Sequence, residues 1–298
     1  MKFISIFSSK VREFYSKRYK LLIVFVFLLF FALMSLALIK YSIKGEFIQR
    51  DITLKGGVIV TLSVKTDEEI SLIKNVLSSK FWDKKINFRE IGVTERNLVV
   101  ETSELSEDEI INALSSFDVV KNKEYTTLRV GSFLGQSFYK EILRAIIFSF
   151  ILMGIIVLIY FRNLAPSSYI VFCAFLDITE TLAIVSLLNM KLSSAGIAAF
   201  LMLIGYSVDT DILLTSRAIK SRVEEVDEKI FDAMRTGLAM TLTTIGALLV
   251  GYFLSSSTVI KEIMLILIIG LSLDIFNTWV GNVSFLKLYL NRSKKQKS

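Results

Sequence analysis

The sequence has few of the residues that build disulfides, metal sites and chain breaks. Among 298 residues there is no histidine, one cysteine and one proline. A single cysteine cannot form a disulfide framework, and without histidine the chain has no Cys/His metal site. We therefore expect no metal and no cofactor. Proton chemistry near neutral pH would have to use carboxylates with shifted pKa values, bound water or a partner.

Charged residues are also scarce relative to hydrophobic ones, at 21% against 53% of the chain. This balance is unusual for a soluble domain and indicates a membrane protein surrounded by lipid. The net charge of +7 does not by itself indicate nucleic-acid binding, because the basic residues of a membrane protein usually set its topology. We therefore expect no nucleic-acid partner.

Six apolar runs are close to the roughly 20 residues that a helix needs to cross the hydrocarbon core. They are Leu21–Ile39, Ile142–Phe161, Ser168–Leu188, Ala195–Leu214, Leu238–Leu254 and Ile263–Leu286. The first run follows a basic stretch and is longer than the apolar part of a signal peptide, which favours an uncleaved anchor. The runs are thus grouped as one and then five.

The basic residues predict the orientation of these spans. Lysine and arginine cluster before the first run, at Arg162, in residues 217–235 and in the C-terminal tail. The positive-inside rule then places both termini of this multi-pass protein of the cytoplasmic membrane in the cytosol. In chain order we expect a cytosolic N-terminus 1–20, a first transmembrane helix 21–40, an extracytosolic domain 41–139, a five-helix transmembrane bundle 140–290 and a basic cytosolic tail 291–298.

Two segments outside the apolar runs have patterns of their own. Residues 217–235 show apolar and charged residues at helical spacing, which is typical of a cytosolic amphipathic helix at the membrane surface. Residues 41–139 contain four strand patterns and two capped helix patterns in the order βαββαβ. That order is typical of a ferredoxin-like split βαβ domain, so we expect one such α+β domain outside the membrane.

Asp209 and Asp211 lie in the fourth run, where a charged side chain costs about 2.5–3.5 kcal/mol at the bilayer centre. In a helix they point about 200° apart and cannot form a carboxylate pair on one face. Asp209 shares its face with Gly205 and Tyr206, and Asp211 shares its face with Ser207. Because ionisable groups inside a membrane usually have a function, we expect a transport or coupling role for at least one aspartate.

Two further runs carry polar residues on one helix face, at spacings of three and four residues. In the third run these are Asp177, Glu180 and Thr181, and in the sixth they are Asp274, Asn277, Thr278, Gly281 and Asn282. Faces of asparagine, threonine and glycine also hold helices together without any chemistry. The fifth run adds Gly237, Thr241 and Thr244 on one face. Packing therefore remains the alternative interpretation for the fifth and sixth runs.

Three segments resemble the SecD/SecF family of protein-export membrane proteins, in its archaeal SecF form. They are "GYSVDTDILLTSR" at 205–217, "AMRTGLAMTLTTIGALLVGY" at 233–252 and "LSLDIFNTWVGN" at 271–282. In addition, "DITLKGG" at 51–57 resembles the family's Asp-Phe-x-Gly-Gly pattern, and "RVGSFLG" at 129–135 resembles its Val-Gly-Pro-x-Leu-Gly element. The family motif positions in this chain are Asp51, Gly56, Gly57, Gly205, Tyr206, Ser207 and Arg217.

The resemblance implies half of a transporter with the resistance-nodulation-division (RND) fold, which assists protein translocation across the membrane. The implied partners are a SecD-like membrane subunit, the Sec translocon channel and the translocating polypeptide. The implied energy source is the proton-motive force. The candidate coupling residues are Asp209, Thr210, Asp211, Asp177, Asp274 and Asn277.

Two departures from the bacterial members concern that coupling. Ungapped alignment places the bacterial aspartate on Thr210, between Asp209 and Asp211. Bacterial members also carry an arginine in the fifth span where this chain has Met240. A coupling pair of aspartate and arginine therefore does not carry over intact.

Three alternatives stand beside this function. A structural translocon partner without ion coupling stays open because of Met240. Half of an RND-type exporter of small molecules or lipids would share the fold, but such exporters usually have twelve spans and two large outside domains in one chain. An intramembrane aspartyl protease is disfavoured, because the chain lacks motifs that resemble Gly-x-Gly-Asp and Pro-Ala-Leu. We therefore expect no enzyme activity and no catalytic residue.

Overall fold

The computed structural model describes residues 2–44, 47–64, 66–91, 97–220, 226–255 and 257–297, which form a helical part and a smaller α+β part. The long helices are α1 (Lys2–Lys44), α6 (Ser132–Phe161), α7 (Leu164–Leu187), α8 (Ser194–Lys220), α9 (Val226–Leu254), α10 (Thr258–Phe276) and α11 (Val283–Lys297). A π-helix, Asn277–Asn282, connects α10 to α11. The predicted predominance of helices is therefore confirmed.

Five of the described helices are long and apolar enough to cross a membrane. The crossing segments are Arg18–Ile43, Lys140–Phe161, Leu164–Leu187, Ser194–Ile219 and Val226–Leu254. They contain the first five predicted runs, except that Leu188 of the third run lies one residue beyond its segment. The sixth run, Ile263–Leu286, is divided among α10, the π-helix and α11, which follow one another without a break.

The segment 217–235 is not a separate helix in the described part of the chain. Residues up to Lys220 continue α8, residues from Val226 begin α9, and residues 221–225 lie outside the described residues. Ile230 and Ala233 are buried in a cluster around Trp279. The amphipathic pattern therefore arises because the first turns of α9 pack on the bundle.

The α+β part follows the first membrane helix. Its sheet consists of β2 (Gly57–Ser63), β3 (Ile86–Ile91), β4 (Asn97–Thr102) and β5 (Tyr125–Val130). All three strand pairs are antiparallel, and the strand order is β3-β4-β2-β5. Its helices are α3 (Asp67–Lys80), α4 (Glu107–Ala113) and the short α5 (Asp118–Lys121). The predicted order of strands and longer helices is therefore present, with α5 as an addition.

Local chemistry fixes the helix starts in this part. The Thr66 hydroxyl accepts a hydrogen bond from the Glu69 backbone N–H at 3.3 Å and caps α3. Ser106 and Glu109 form a reciprocal capping box at the start of α4. The hydrogen bond from the Ser106 backbone N–H lowers the pKa of Glu109. Alternate residues of β2 and β4 then bury one sheet face beneath α3 and α4.

The other sheet face lies over the ends of the membrane helices. A two-residue strand β1 (Gln49–Arg50) pairs in parallel with β6 (Lys191–Leu192), which lies in the turn between α7 and α8. The backbone N–H of Asp51 donates to the carbonyl of Leu192 at 2.9 Å. The short helix α2 (Ile52–Lys55) follows, and the Thr53 hydroxyl accepts from the Ser194 N–H. The sheet is therefore joined directly to the α7–α8 turn.

Two motif glycines make this connection possible. Gly56 and Gly57 have φ values of +84° and +145°, a region that favours glycine. A Cβ on Gly57 would collide with the backbone at Thr102 and Ser103. Asp51, the other motif residue here, is buried and precedes α2. The motif at 51–57 thus shapes the entry of the chain into the sheet.

Within the membrane part, α7, α8 and α10 form the centre, whereas α6 is exposed along nearly its whole described length. Glycines allow close helix contacts at two places. A Cβ on Gly270 of α10 would meet the Leu203 side chain of α8, and one on Gly237 of α9 would meet the Trp279 ring. The polar residues of these central helices therefore face one another.

Candidate functional site

A buried polar cluster lies where α7, α8, α10 and the π-helix meet. Its members are exposed by 4% or less and are Asp177, Glu180, Ser207, Thr210, Asp211, Asp274, Asn277, Thr278 and Asn282. Four of the nine are carboxylic acids, and they come from three different helices. The spacing of three and four residues on α7 and α10 places these groups on the inward faces.

The first half of the cluster is built around Asn277. Its side-chain nitrogen donates to Asp177 Oδ1 at 2.8 Å and to Glu180 Oε2 at 2.9 Å. The second oxygen of Asp177 accepts a hydrogen bond from the Ser207 hydroxyl. Glu180 Oε1 is buried without a hydrogen-bond partner. One amide group therefore holds two carboxyl groups close together.

The second half is built around Asp211 and Asp274. The Thr278 hydroxyl lies 3.0 Å from an oxygen of each, and Thr210 Oγ1 lies 3.1 Å from Asp274 Oδ2. Asp211 Oδ1 also accepts from the Asn282 side-chain nitrogen at 2.7 Å. Asp211 Oδ2 is buried without a partner. Asp211 thus has one fully bonded oxygen and one oxygen free to take a proton.

The π-helix brings three of these side chains into the cluster. A π-helix accommodates an extra residue in the turn and often occurs at functional sites. Asn277 and Thr278 stand at its start and Asn282 at its end, and all three side chains donate to carboxyl groups. The wider turn therefore supplies the donors for both halves of the site.

No basic side chain balances this cluster in the described part of the chain, because none of the ion pairs found there includes its four acids. A buried carboxylate without a cation is costly and is relieved by taking up a proton or a cation. The acids do not form a group that could hold a metal ion. Chemically, the arrangement is suited to binding and releasing protons.

Asp209 lies outside the cluster. It is on the exposed side of α8 with Gly205 and Tyr206, and it has no hydrogen-bond or ion-pair partner among the described residues. The expected opposite placement of Asp209 and Asp211 is therefore observed. Ser207, expected on the face of Asp211, lies in the cluster and bonds to Asp177.

The two basic positions considered from the sequence do not reach the cluster either. Arg217 donates to the Thr236 hydroxyl of α9 at 3.2 Å. Met240, at the position of the bacterial arginine, is 49% exposed on the outer side of α9. The threonines of α9, such as Thr241 and Thr244, donate to carbonyls of their own helix. The fifth run therefore contributes packing, and no group to the buried site.

Of the candidate residues, Asp177, Thr210, Asp211, Asp274 and Asn277 come together, and Asp209 does not. Glu180, Thr278 and Asn282 join them although they were not among the candidates. Glu180 lies three residues after Asp177, and Thr278 and Asn282 lie four and eight residues after Asp274. This helical spacing could have identified them. The motif residues Asp51, Gly56 and Gly57 belong to the junction with the sheet.

The chain matches a known protein family and several of its members. The sequence model described as "Protein export membrane protein SecD/SecF, C-terminal" matches residues 109–292. The chain is 36% identical over 274 residues to a protein-export membrane protein SecF of Methanocaldococcus jannaschii, covering 89% of this chain and 95% of that one. It is 32% identical over 274 residues to a SecF of Pyrococcus furiosus, covering 91% of each.

Among solved structures, the fold is similar to that of SecDF from Thermus thermophilus, a translocon-associated membrane protein. The TM-score is 0.70 at 19% identity, over 92% of this chain and 38% of that chain. SecDF in its super-membrane-facing form gives a TM-score of 0.59 at 18% identity. At these identities the likeness concerns the fold, and this chain spans well under half of the SecDF chain.

Proposed function

The chain belongs to the SecF family of protein-export membrane proteins, and from this we propose that it assists protein translocation through the Sec translocon as the SecF subunit of a complex with a SecD-like protein. We further propose that the proton-motive force drives this step. The observation that carries the coupling is the buried cluster of four carboxylic acids, which has no basic partner among the described residues. No catalytic step is assigned to the chain.

The proton is the coupling ion that suits the cluster best. The four acids are close enough to share hydrogen-bond donors, so that they cannot all be charged at little cost. Asp211 is the proposed site of proton exchange, because its Oδ2 has no partner while Oδ1 holds two. Asp274 shares the Thr278 hydroxyl with Asp211, and its negative charge would favour a proton on Asp211.

The SecD-like partner is proposed to cover the exposed side of α8 and α9. There Asp209 and Tyr206 are exposed, and a Cβ on Gly205 or Gly246 would have no described atom within 4 Å. A carboxylate on a lipid-facing surface is costly, so Asp209 is expected to meet a polar group or a cavity at this surface. Met240 is also exposed, and we propose that any cation for coupling comes from the partner.

Copurification tests this surface. We expect a tagged chain, extracted from native membranes in mild detergent, to bring down a six-span SecD-like protein. Gly246→Trp should abolish that recovery, because the new side chain has open space in this chain but blocks a partner's helix. Ile155→Trp on exposed α6 is the matched control and should retain the partner. Loss with both variants, or with neither, would reject the proposed surface.

The sixth predicted span and the ferredoxin-like domain are part of the same proposal. The continuous stretch α10, π-helix and α11 is proposed to cross the membrane as the sixth span. The strand order β3-β4-β2-β5 and the alternation of strands and helices support a split βαβ domain. Placed outside the cytoplasmic membrane, this domain would handle the emerging polypeptide.

Cysteine labelling tests this orientation. In a Cys173→Ala background, which removes the single buried thiol, Ser116→Cys on the exposed surface of the α+β domain should react with an impermeant maleimide from outside. Lys229→Cys, at an exposed position in the first turns of α9, should react only after the membrane is permeabilised. The reverse pattern would overturn the orientation inferred from the basic clusters.

A further inference from the structure

A cavity of about 410 Å³ lies between the sheet and the membrane helices, and its described lining residues include no member of the carboxylate cluster. Among the described residues of its wall, basic side chains outnumber acidic ones. The basic residues are Lys40, Arg50, Lys55, Lys85 and Lys191, and the acidic ones are Asp51 and Glu101. Both acids already contact cations, since Glu101 pairs with Arg89 and Lys191 and Asp51 lies 3.7 Å from Arg89. The cavity therefore suits an anion.

The cavity lies at the level where membrane helices end. Lys40 is three residues from the end of the crossing segment Arg18–Ile43, and it donates to the carbonyl of Ser186, next to the end of α7. Lys191 lies in the turn that precedes α8. Lipid headgroups occupy this interfacial layer. An anion in the cavity would therefore be at headgroup depth.

An apolar surface continues from the cavity along the first helix. Leu36 and Ile43 lie on the helix face of Lys40, at spacings of four and three residues. They are 51% and 77% exposed. A ligand with an anionic head and hydrocarbon chains would fill the cavity and cover this surface at the same time. A free anion or an acidic polypeptide would use only the charged part.

We propose that this cavity binds the phosphate headgroup of an anionic phospholipid, with the acyl chains along α1. The site then fixes a lipid between the first membrane helix, the sheet and the α7–α8 turn. Lys55 at the end of α2 and Lys85 just before β3 both line the cavity and would both contact the headgroup.

Native mass spectrometry of the full-length protein, released from detergent micelles, tests the site. Phosphatidylglycerol is added as the anionic lipid, phosphatidylcholine as the zwitterionic one, and inorganic phosphate as the free anion. We expect one phosphatidylglycerol to bind in preference to phosphatidylcholine, and inorganic phosphate not to displace it. Since each basic residue near an anionic lipid contributes a factor of about five in affinity, Lys55→Gln with Lys85→Gln should weaken binding about thirtyfold.

Lys80→Gln is the matched control, because it removes the same charge from an exposed position on α3, away from the cavity. It should bind phosphatidylglycerol as the parent does. Lys85→Gln alone, at an exposed position, keeps the test valid if the double variant does not fold. Equal binding of both lipids, an unchanged affinity in the Lys85→Gln variant, or displacement by inorganic phosphate or an acidic peptide would each overturn the proposal.

Discussion

Asp211→Asn is expected to abolish the gradient-dependent part of protein export while leaving the complex assembled. Asparagine keeps an oxygen that can accept from Thr278 and Asn282, and the atom that becomes nitrogen replaces an oxygen without a partner. The substitution therefore breaks no hydrogen bond in the cluster. It removes the proton-binding oxygen, so that any step driven by protonation of Asp211 should stop.

The measurement is export of a preprotein in membrane vesicles with and without an uncoupler. The parent should export faster with the gradient, and Asp211→Asn should run at the parent's uncoupled rate under both conditions. Asp209→Asn is the matched control, since it makes the same change two residues away on the exposed side of α8. It should respond to the gradient as the parent does, provided that the partner is still recovered with it.

A purely structural translocon partner would behave differently. If the cluster served only to hold α7, α8 and α10 together, Asp211→Asn would export as the parent does and keep its response to the gradient. Coupling through Asp209 and a cation of the partner would give the opposite assignment, with loss in Asp209→Asn alone. Either result would contradict coupling at Asp211.

The helices and strands could be predicted from the sequence because they depend on local patterns. Apolar runs near 20 residues predict membrane helices, and period-two alternation predicts strands, because in both the pattern of burial repeats along the element. Segment 217–235 shows where this fails. Its amphipathic pattern fits a membrane surface and a protein surface equally well, and only the position of Trp279 decides for the latter.

The buried site could be predicted in part. Helix geometry places Asp209 and Asp211 on opposite sides of α8, but apolar residues surround both, so the sequence does not show which side is the interior. The π-helix could not be predicted, since its turn depends on packing between α10 and its neighbours. Glu101 follows three apolar strand residues and gives no sign of burial, because the surface that covers it belongs to the α7–α8 turn.

The contact between Glu101 and the α7–α8 turn connects the sheet to the helices of the carboxylate cluster. The turn joins α7, which carries Asp177, to α8, which carries Asp211. Glu101 of β4 binds Lys191 in this turn at 3.0 Å and Arg89 of β3. Ser193 at the end of the turn donates its N–H to Glu262 of α10 at 2.9 Å. A movement of α7 and α8 against α10 would therefore shift the sheet, which gives the proposed coupling a route to the α+β part.

Glu101→Ala is expected to destabilise the protein by about 3 kcal/mol, because it leaves two cations beside each other without their shared carboxylate. The side chain of Glu101 is fully buried, while those of Arg89 and Lys191 are 37% and 26% exposed, which keeps the cost at the lower end for a buried pair. Burial and the nearby Arg89 already lower the pKa of Lys191. Losing Glu101 should lower that pKa further and loosen the sheet from the turn.

The comparison that isolates this effect is Glu90→Ala, which removes an acid from the same sheet. Glu90 binds Lys74 at 2.6 Å, but both side chains are exposed, so this loss should cost less than about 1 kcal/mol. The free energy of unfolding of each variant in detergent gives the difference, and hydrogen exchange at residues 188–193 reports the loosening. Only Glu101→Ala should speed exchange there. If both variants unfold alike and the turn stays protected, Glu101 does not join the α+β part to the helices that carry Asp177 and Asp211.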